Sequence, residues 1–158
     1  VLNSKFMLRG DFDFQIDCDF DFIDNLPGMD QEVRFTIIDE NFNMLLMHFL
    51  KKGKSVGKLN SFKGGFNMTG GKTKISGFHG IVRLKRYGKK VSTFYRLKDS
   101  ADWIKLKTHH FVDNDVMLGF GVQNFWWKRK LIRNDRPFSA TFDNFKINTA
   151  EEIIESDI

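Results

Sequence analysis

The chain has one cysteine, two prolines and no apolar run long enough to span a bilayer. A lone cysteine excludes an intrachain disulfide, and without a cysteine framework the chain shows no redox compartment. The missing apolar run excludes a membrane-spanning helix of ordinary length. No signal peptide precedes Val1, and an opening residue other than Met suggests processing or a boundary within a longer polypeptide. Internal repeats and a convincing amphipathic helix before the final residues are also lacking. The four histidines, His48, His79, His109 and His110, show no metal-like spacing.

What is present is an unbroken alternation. Phe12, Phe14, Ile16, Cys18, Phe20 and Phe22 alternate with Asp13, Gln15, Asp17, Asp19 and Asp21, and Leu8 and Phe6 keep the phase. Such a run is a β-strand with one dry and one acidic face, long enough to belong to a large antiparallel sheet packed on a second layer. Cys18 lies on the dry phase and reads as a buried, inert thiol. Most of the 18 phenylalanines follow the same logic, as rings filling the space between sheets. At 158 residues one domain can bury roughly two thirds of its unfolded surface, which is enough for a core without staples.

Turn residues divide the remainder into strands. Asp24 to Gly28 reads as a turn, and Glu32 to Ile38 with Asn41 to Leu50 as a hairpin across Asp39-Glu40. The Gly- and Lys-rich stretch from Lys51 to Gly80 reads as loops and short edge strands. Gly80 to Lys85 and Lys90 to Arg96 flank a tight turn, and Trp103 to Leu106, Val116 to Val122 and Phe138 to Ile147 complete the set. At least seven strands without a helix predict an all-β sandwich or jelly roll over residues 1–148. Residues 149–158 read as an acidic tail or a short helix capped by Thr149.

Charge is polarised along the chain. Residues 1–45 hold ten acids and three bases, residues 46–147 six acids and 22 bases, and the last residues four acids, for a net +5. Acidic and basic strands can neutralise each other as sheet neighbours, or the basic middle can attract anions.

Three segments carry a family resemblance: Leu8-Arg9-Gly10-Asp11-Phe12-Asp13-Phe14, then Gly80 to Gly88 with Phe94-Tyr95-Arg96, and finally Phe138 to Ile147 containing Phe142-Asp143-Asn144-Phe145. Together they resemble the concanavalin A-like lectin/glucanase superfamily, in the branch of laminin G-like and uncharacterised secreted jelly-roll domains. The resemblance implies a two-sheet antiparallel β-sandwich and an extracellular or cell-surface setting. Such domains commonly open on a Trp- and Gly-containing strand. Here only Val1 to Met7 precedes the motif, so that strand is degenerate or the chain is part of a longer polypeptide.

Glycosidases of the superfamily place carboxylates at alternate positions of one strand, which Asp17, Asp19 and Asp21 mimic, without the glutamates and the Trp-rich setting. An aspartate ladder on a wet strand is more often paired with neighbouring lysines. Calcium held by relatives through loop oxygens makes Asp143 with Asn144, or Asp113 with Asn114 and Asp115, weak candidates for a structural ion. Apart from that calcium, no cofactor is expected.

Trp126 and Trp127, followed by Lys128, Arg129 and Arg133, are the leading ligand-binding candidates. Extended backbone places one indole on each face, and an exposed indole can stack on a sugar ring while a cation holds an anionic group. Arg83, Lys85, Arg86, Lys89 and Lys90 form a compact basic hairpin that also carries Tyr87, and it reads equally as an anion contact or as an edge protected by charge. The leading expectation is a non-catalytic carbohydrate-binding or adhesion-type module for anionic glycans. A self-associating structural subunit of a shell, filament or surface layer comes second and a glycoside hydrolase third. Nucleic acid ranks last as a partner, because no recognised binding motif accompanies the charge.

Overall fold

The computed structural model describes residues 2–24, 28–64, 72–126 and 138–155. Within them the chain is all-β and antiparallel, with no helix. The strands are β1 (Leu2–Asp21), β2 (Met29–Asp39), β3 (Met44–Lys52), β4 (Gly57–Lys63), β5 (Lys72–Ile75), β6 (Gly77–Tyr87), β7 (Lys90–Leu97), β8 (Ile104–His110), β9 (Val116–Trp126) and β10 (Thr141–Glu155). No described helix is long and apolar enough to cross a membrane.

Where the sequence predicts two sheets, the strands form one ten-stranded sheet, ordered β5-β4-β3-β2-β9-β1-β6-β7-β8 with β10 also paired to β1, curled into a half-barrel. The cause lies in β1, which changes partner partway along its length. Its first part pairs with β9, ending at Leu8↔Val116, and its second part pairs with β6 from Phe12↔Arg86 to Asp21↔Gly77. The change falls at a bulge: Arg9↔Glu152 is followed on β10 by Phe12↔Ala150, so Gly10 and Asp11 face one residue, Glu151. Gly10 sits at φ 67°, and a Cβ there would overlap the Glu151 carboxylate.

The alternation of β1 is realised throughout. Phe12, Phe14, Ile16, Cys18 and Phe20 are all buried, and burial pushes the Cys18 thiol well above its ordinary range. The two wings of the sheet meet through rings. Phe49 of β3 lies 4.8 Å from Phe78 of β6 and 5.3 Å from Phe20 of β1, while Phe35 of β2 meets Phe142 of β10 edge-on at 5.6 Å. Each fully buried ring contributes roughly 2–3 kcal/mol, and edge-to-face pairs add about 1 kcal/mol more. A second bridge is polar: Ser61 of β4 and His109 of β8 lie 2.8 Å apart, and the Thr93 hydroxyl of β7 donates to Ser61 Oγ at 2.8 Å.

The tail expectation is corrected. Residues 149–155 continue β10 along β1, through Asp13↔Thr149 to Phe6↔Glu155. A helix this short has a costly nucleus, whereas the open edge of β1 offers hydrogen-bond partners for every second residue. β4 is also more central than the Gly- and Lys-rich composition suggests, since Leu59 and Ser61 are fully buried.

Candidate functional site

One end of the half-barrel gathers the β2–β3 turn, the β6–β7 turn, the 111–115 loop and the bulge of β1. Asp39 organises the first of these. Its Oδ1 accepts the backbone N–H of Asn41 at 2.9 Å and of Asn43 at 2.8 Å, and its Oδ2 accepts the side-chain amides of Asn43 and Asn114, each at 2.8 Å. Burial favours the protonated acid, but these donors prevail and hold the carboxyl below its usual range.

The turn so built presents Phe42 at φ 61° and 80% exposed. A left-handed conformation costs a phenylalanine about 1–2 kcal/mol, and an exposed ring recovers nothing by burial. Stability therefore gives no account of this residue, whereas presentation of a ring to a ligand does.

Arg86 connects that turn to the next one. On the inner row of β6 and 2% exposed, it donates from Nε to the Gly10 carbonyl at 2.6 Å and from Nη1 to the Asn114 carbonyl at 2.8 Å, over the Phe12 ring at 4.7 Å. The same Asn114 holds Asp39, so one hydrogen-bonded chain runs from the Phe42 turn to β6. The following residue, Tyr87, is 77% exposed. Beyond it the Gly88 N–H donates to Asp11 Oδ1 at 2.6 Å, and the Phe111 N–H donates to the Lys89 carbonyl at 2.7 Å.

Charged groups at this end stand in opposed pairs. Lys89 Nζ lies 3.6 Å from Asp113, and Arg9 holds Asp115 through two hydrogen bonds of 3.0 and 2.9 Å and Glu152 at 3.1 Å. Two exposed rings on turns of this end, with amides, carboxylates and cations on the same elements, are groups of the kind that stack on a sugar ring and hydrogen-bond its hydroxyls.

The structure thus brings Arg86, Tyr87, Lys89, Asp113 and Asp115 together at one end, with Arg86 inside as a scaffold. Arg83 lies elsewhere, on the outer face, in a bidentate pair with Asp13; burial of Asp13 opposes ionisation, but Arg83 and Asn148 hold its carboxyl low. Trp103, read from the sequence as a core strand residue, precedes β8 half-buried, with the Arg83 and Arg96 guanidiniums 5.2 and 5.0 Å from its ring centroid. Trp127, Lys128, Arg129 and Arg133 lie outside the described residues, as does the side chain of Trp126, whose backbone ends β9 opposite Met29.

The calcium candidates separate. Asp113 and Asp115 face Lys89 and Arg9, while Asp143 and Asn144 sit beside Asp17, where Asn144 at φ 49° donates from Nδ2 to Asp17 Oδ2 at 2.8 Å. Among the described residues, no three His, Cys, Asp or Glu side chains are placed to hold a metal ion.

The acidic ladder of β1 is engaged with β6. His79 spans two of its rungs, Nε2 at 2.9 Å from Asp21 and Nδ1 at 3.1 Å from Asp19, and the Asp21 carboxylate first, with Asp19, raises the imidazole pKa against the opposing effect of burial. Beside it a groove of about 230 Å³ is lined by Asp17, Asp19, Gly80, Arg96 and Lys98. The buried Ser61–His109 pair has nucleophile–base spacing, but Ser61 is 0% exposed, so no substrate reaches its hydroxyl.

Phe42 escaped the sequence reading because it was assigned to the strand after Asp39-Glu40. The signal was the Asp39-x-Asn41-x-Asn43 spacing, since Asp and Asn side chains bond the backbone two residues on and widen a turn.

No protein-family model and no curated protein matches the chain. Among solved structures, the CBM2 module of Lactobacillus casei BL23 phage J-1 evolved Dit superposes with a TM-score of 0.57 at 9% identity over 94% of this chain. The chain spans 64% of the length of that structure. At this identity the likeness concerns the antiparallel all-β fold.

Proposed function

We propose that the chain is a non-catalytic carbohydrate-binding module whose platform is Phe42 and Tyr87, on a jelly-roll-like fold of the concanavalin A-like kind and in a secreted or cell-surface setting. The observation that carries this reading is the pair of rings, 80% and 77% exposed, mounted on turns fixed by the Asp39–Asn114–Arg86 chain. Likeness of fold to a carbohydrate-binding module supports it, and so do the amides and charged groups of the same end. Fixed rings bind without the ordering cost that flexible loops incur.

The test is a glycan array followed by titration of any hit. Phe42→Ala and Tyr87→Ala each remove one stacking surface and weaken binding about tenfold or more, with unchanged circular dichroism and melting. Undiminished binding by the double variant would defeat this placement of the site, and a blank array would defeat the carbohydrate reading.

One observation favours the second reading, self-association. Among the described residues β10, 15 residues long, pairs with β1 only. A strand edge open over such a length can accept a strand from another copy. Sedimentation velocity over a hundredfold concentration range decides it, a constant monomer being the result against assembly.

A further inference from the structure

Three cations of the Arg83 to Lys90 hairpin are already engaged, because Arg83 faces Asp13, Arg86 faces carbonyls and Lys89 faces Asp113. Uncompensated positive charge lies at the opposite end of the half-barrel, where the β3–β4 turn, the start of β4 and the end of β5 enclose a pocket of about 430 Å³. Its lining includes Lys51, Lys54, Ser55, Lys74, Ser76 and Asp24. Asp24 is the one acid of that lining and is paired with Lys51, whose side chain is 8% exposed. Lys54 and Lys74 have no ion-pair partner among the described residues.

A second, independent feature is the register of the edge strand. Lys58 of β4 stands directly opposite Lys74 of β5, on the same face of the sheet. Like charges in a cross-strand pair cost stability, and natural pairs at such positions are usually of opposite sign. Lysine on an edge strand blunts aggregation, which explains Lys74 by itself. It does not explain a second lysine facing it across the ladder, nor Lys54 converging from the turn with two serine hydroxyls.

We propose that this pocket binds a sulfate or phosphate group, held by the ammonium groups of Lys54 and Lys74 and by the hydroxyls of Ser55 and Ser76, with the charge of Lys58 across the ladder adding to the field. The chemistry suits it: two flexible point charges balance a doubly charged tetrahedral oxyanion, a third adds to the field from the facing strand, and the hydroxyls donate to its remaining oxygens. Bound anion also removes the repulsion between Lys58 and Lys74, so part of the binding free energy is relief of a cost already present in the free protein. The site is separate from Phe42 and Tyr87 and does not depend on them.

Isothermal titration at low ionic strength tests it on the full chain with four probes: inorganic sulfate, inorganic phosphate, a sulfated monosaccharide and its unsulfated parent. Saturable binding of either inorganic ion supports the site with a free ion as its occupant, and tighter binding of the sulfated sugar assigns the group to a glycan. Lys54→Ala and Lys74→Ala each weaken binding about tenfold, as loss of one charge-assisted hydrogen bond requires. Lys58→Ala weakens it less than either, because the repulsion it removes partly compensates. A control carrying Lys146→Ala removes the same number of charges elsewhere and retains affinity within about twofold. Absence of binding by every probe overturns the proposal, as does equal weakening in the control or equal binding of the unsulfated parent. All the substituted lysines are surface residues, and circular dichroism of each variant verifies the fold. The Phe42→Ala and Tyr87→Ala variants keep full oxyanion affinity, so failure here is distinguishable from failure of the stacking site.

Discussion

Arg86 Nε donates to the carbonyl of Gly10 at 2.6 Å, which ties β6 to the bulge at which β1 exchanges one wing of the sheet for the other. A guanidinium 2% exposed is costly to bury, and desolvation lowers its pKa from the ordinary arginine value even with Asp11 and Asp115 nearby. Part of that cost is offset by the hydrogen bonds to two carbonyls and by the Phe12 ring beneath it, while Nη2 is buried without a hydrogen-bond partner among the described residues.

Removing it is therefore expensive. Arg86→Met leaves the Gly10 and Asn114 carbonyls without a donor and is expected to destabilise the fold by about 2–4 kcal/mol in urea denaturation. Gly10→Ala, which forces a Cβ at φ 67° against Glu151, is expected to cost about 1–3 kcal/mol. A loss below about 0.5 kcal/mol in both would show that the junction does not depend on them.

Asn114→Ala separates scaffold from contact. It cuts the amide bond to Asp39 and leaves both Phe42 and Tyr87 in place. Stability is expected to fall by about 1 kcal/mol and affinity for a glycan ligand to fall with it, because the rings lose their fixed spacing. Intact affinity in a destabilised variant would mean the turns hold without the chain.

His109 sets an acid limit. Burial, with Lys107 and Lys63 nearby, lowers its pKa from 6.5 to about 4, so the folded protein prefers the neutral ring that faces Ser61. A depressed pKa contributes stability that is complete above pH 6.5 and is lost as pH falls toward 4. Urea midpoints at pH 7 and pH 4.5 should differ by on the order of 2 kcal/mol more in the wild type than in His109→Gln, which has no proton to gain. Equal differences would place the acid sensitivity in other groups.

His79 shifts the other way. Asp21 and Asp19 raise its pKa, so its contribution is present below 6.5 and is lost as pH rises through the folded value. An NMR titration should find its midpoint above that of a free histidine, and Asp21→Asn should bring it down. An unshifted midpoint would show that the imidazole does not span the carboxylates in solution.

Cys18 is 0% exposed with its pKa raised. A thiol reagent at pH 8 is expected to modify the native chain slowly and the urea-unfolded chain at once. Rapid native labelling would mean that β1 opens between β6 and β10.

The strands were readable because a period of two is a local property. Phe12 to Phe20 declare their face without reference to any other part of the chain, and the structure buries each of them. The candidate site was less readable. Tyr87, Lys89 and Asp113 were singled out separately, but only the pairing of β6 with β1 and the course of the 111–115 loop bring them to one end. Phe42 was missed because exposure belongs to the assembled surface and not to a residue's type.

By itself the sequence determined an antiparallel all-β chain, the wet and dry faces of its strands, and a buried inert thiol, since these follow from alternation and composition alone. Tertiary structure decided that one long strand serves both wings, that residues 149–155 extend β10, and which charges are free. Those outcomes depend on partners 70 or more residues apart in the chain, such as Arg83 with Asp13 and Arg86 with Gly10. An arginine at position 83 and a lysine at position 74 look alike in a sequence. The neighbouring strand determines that the first meets a carboxylate and the second another lysine.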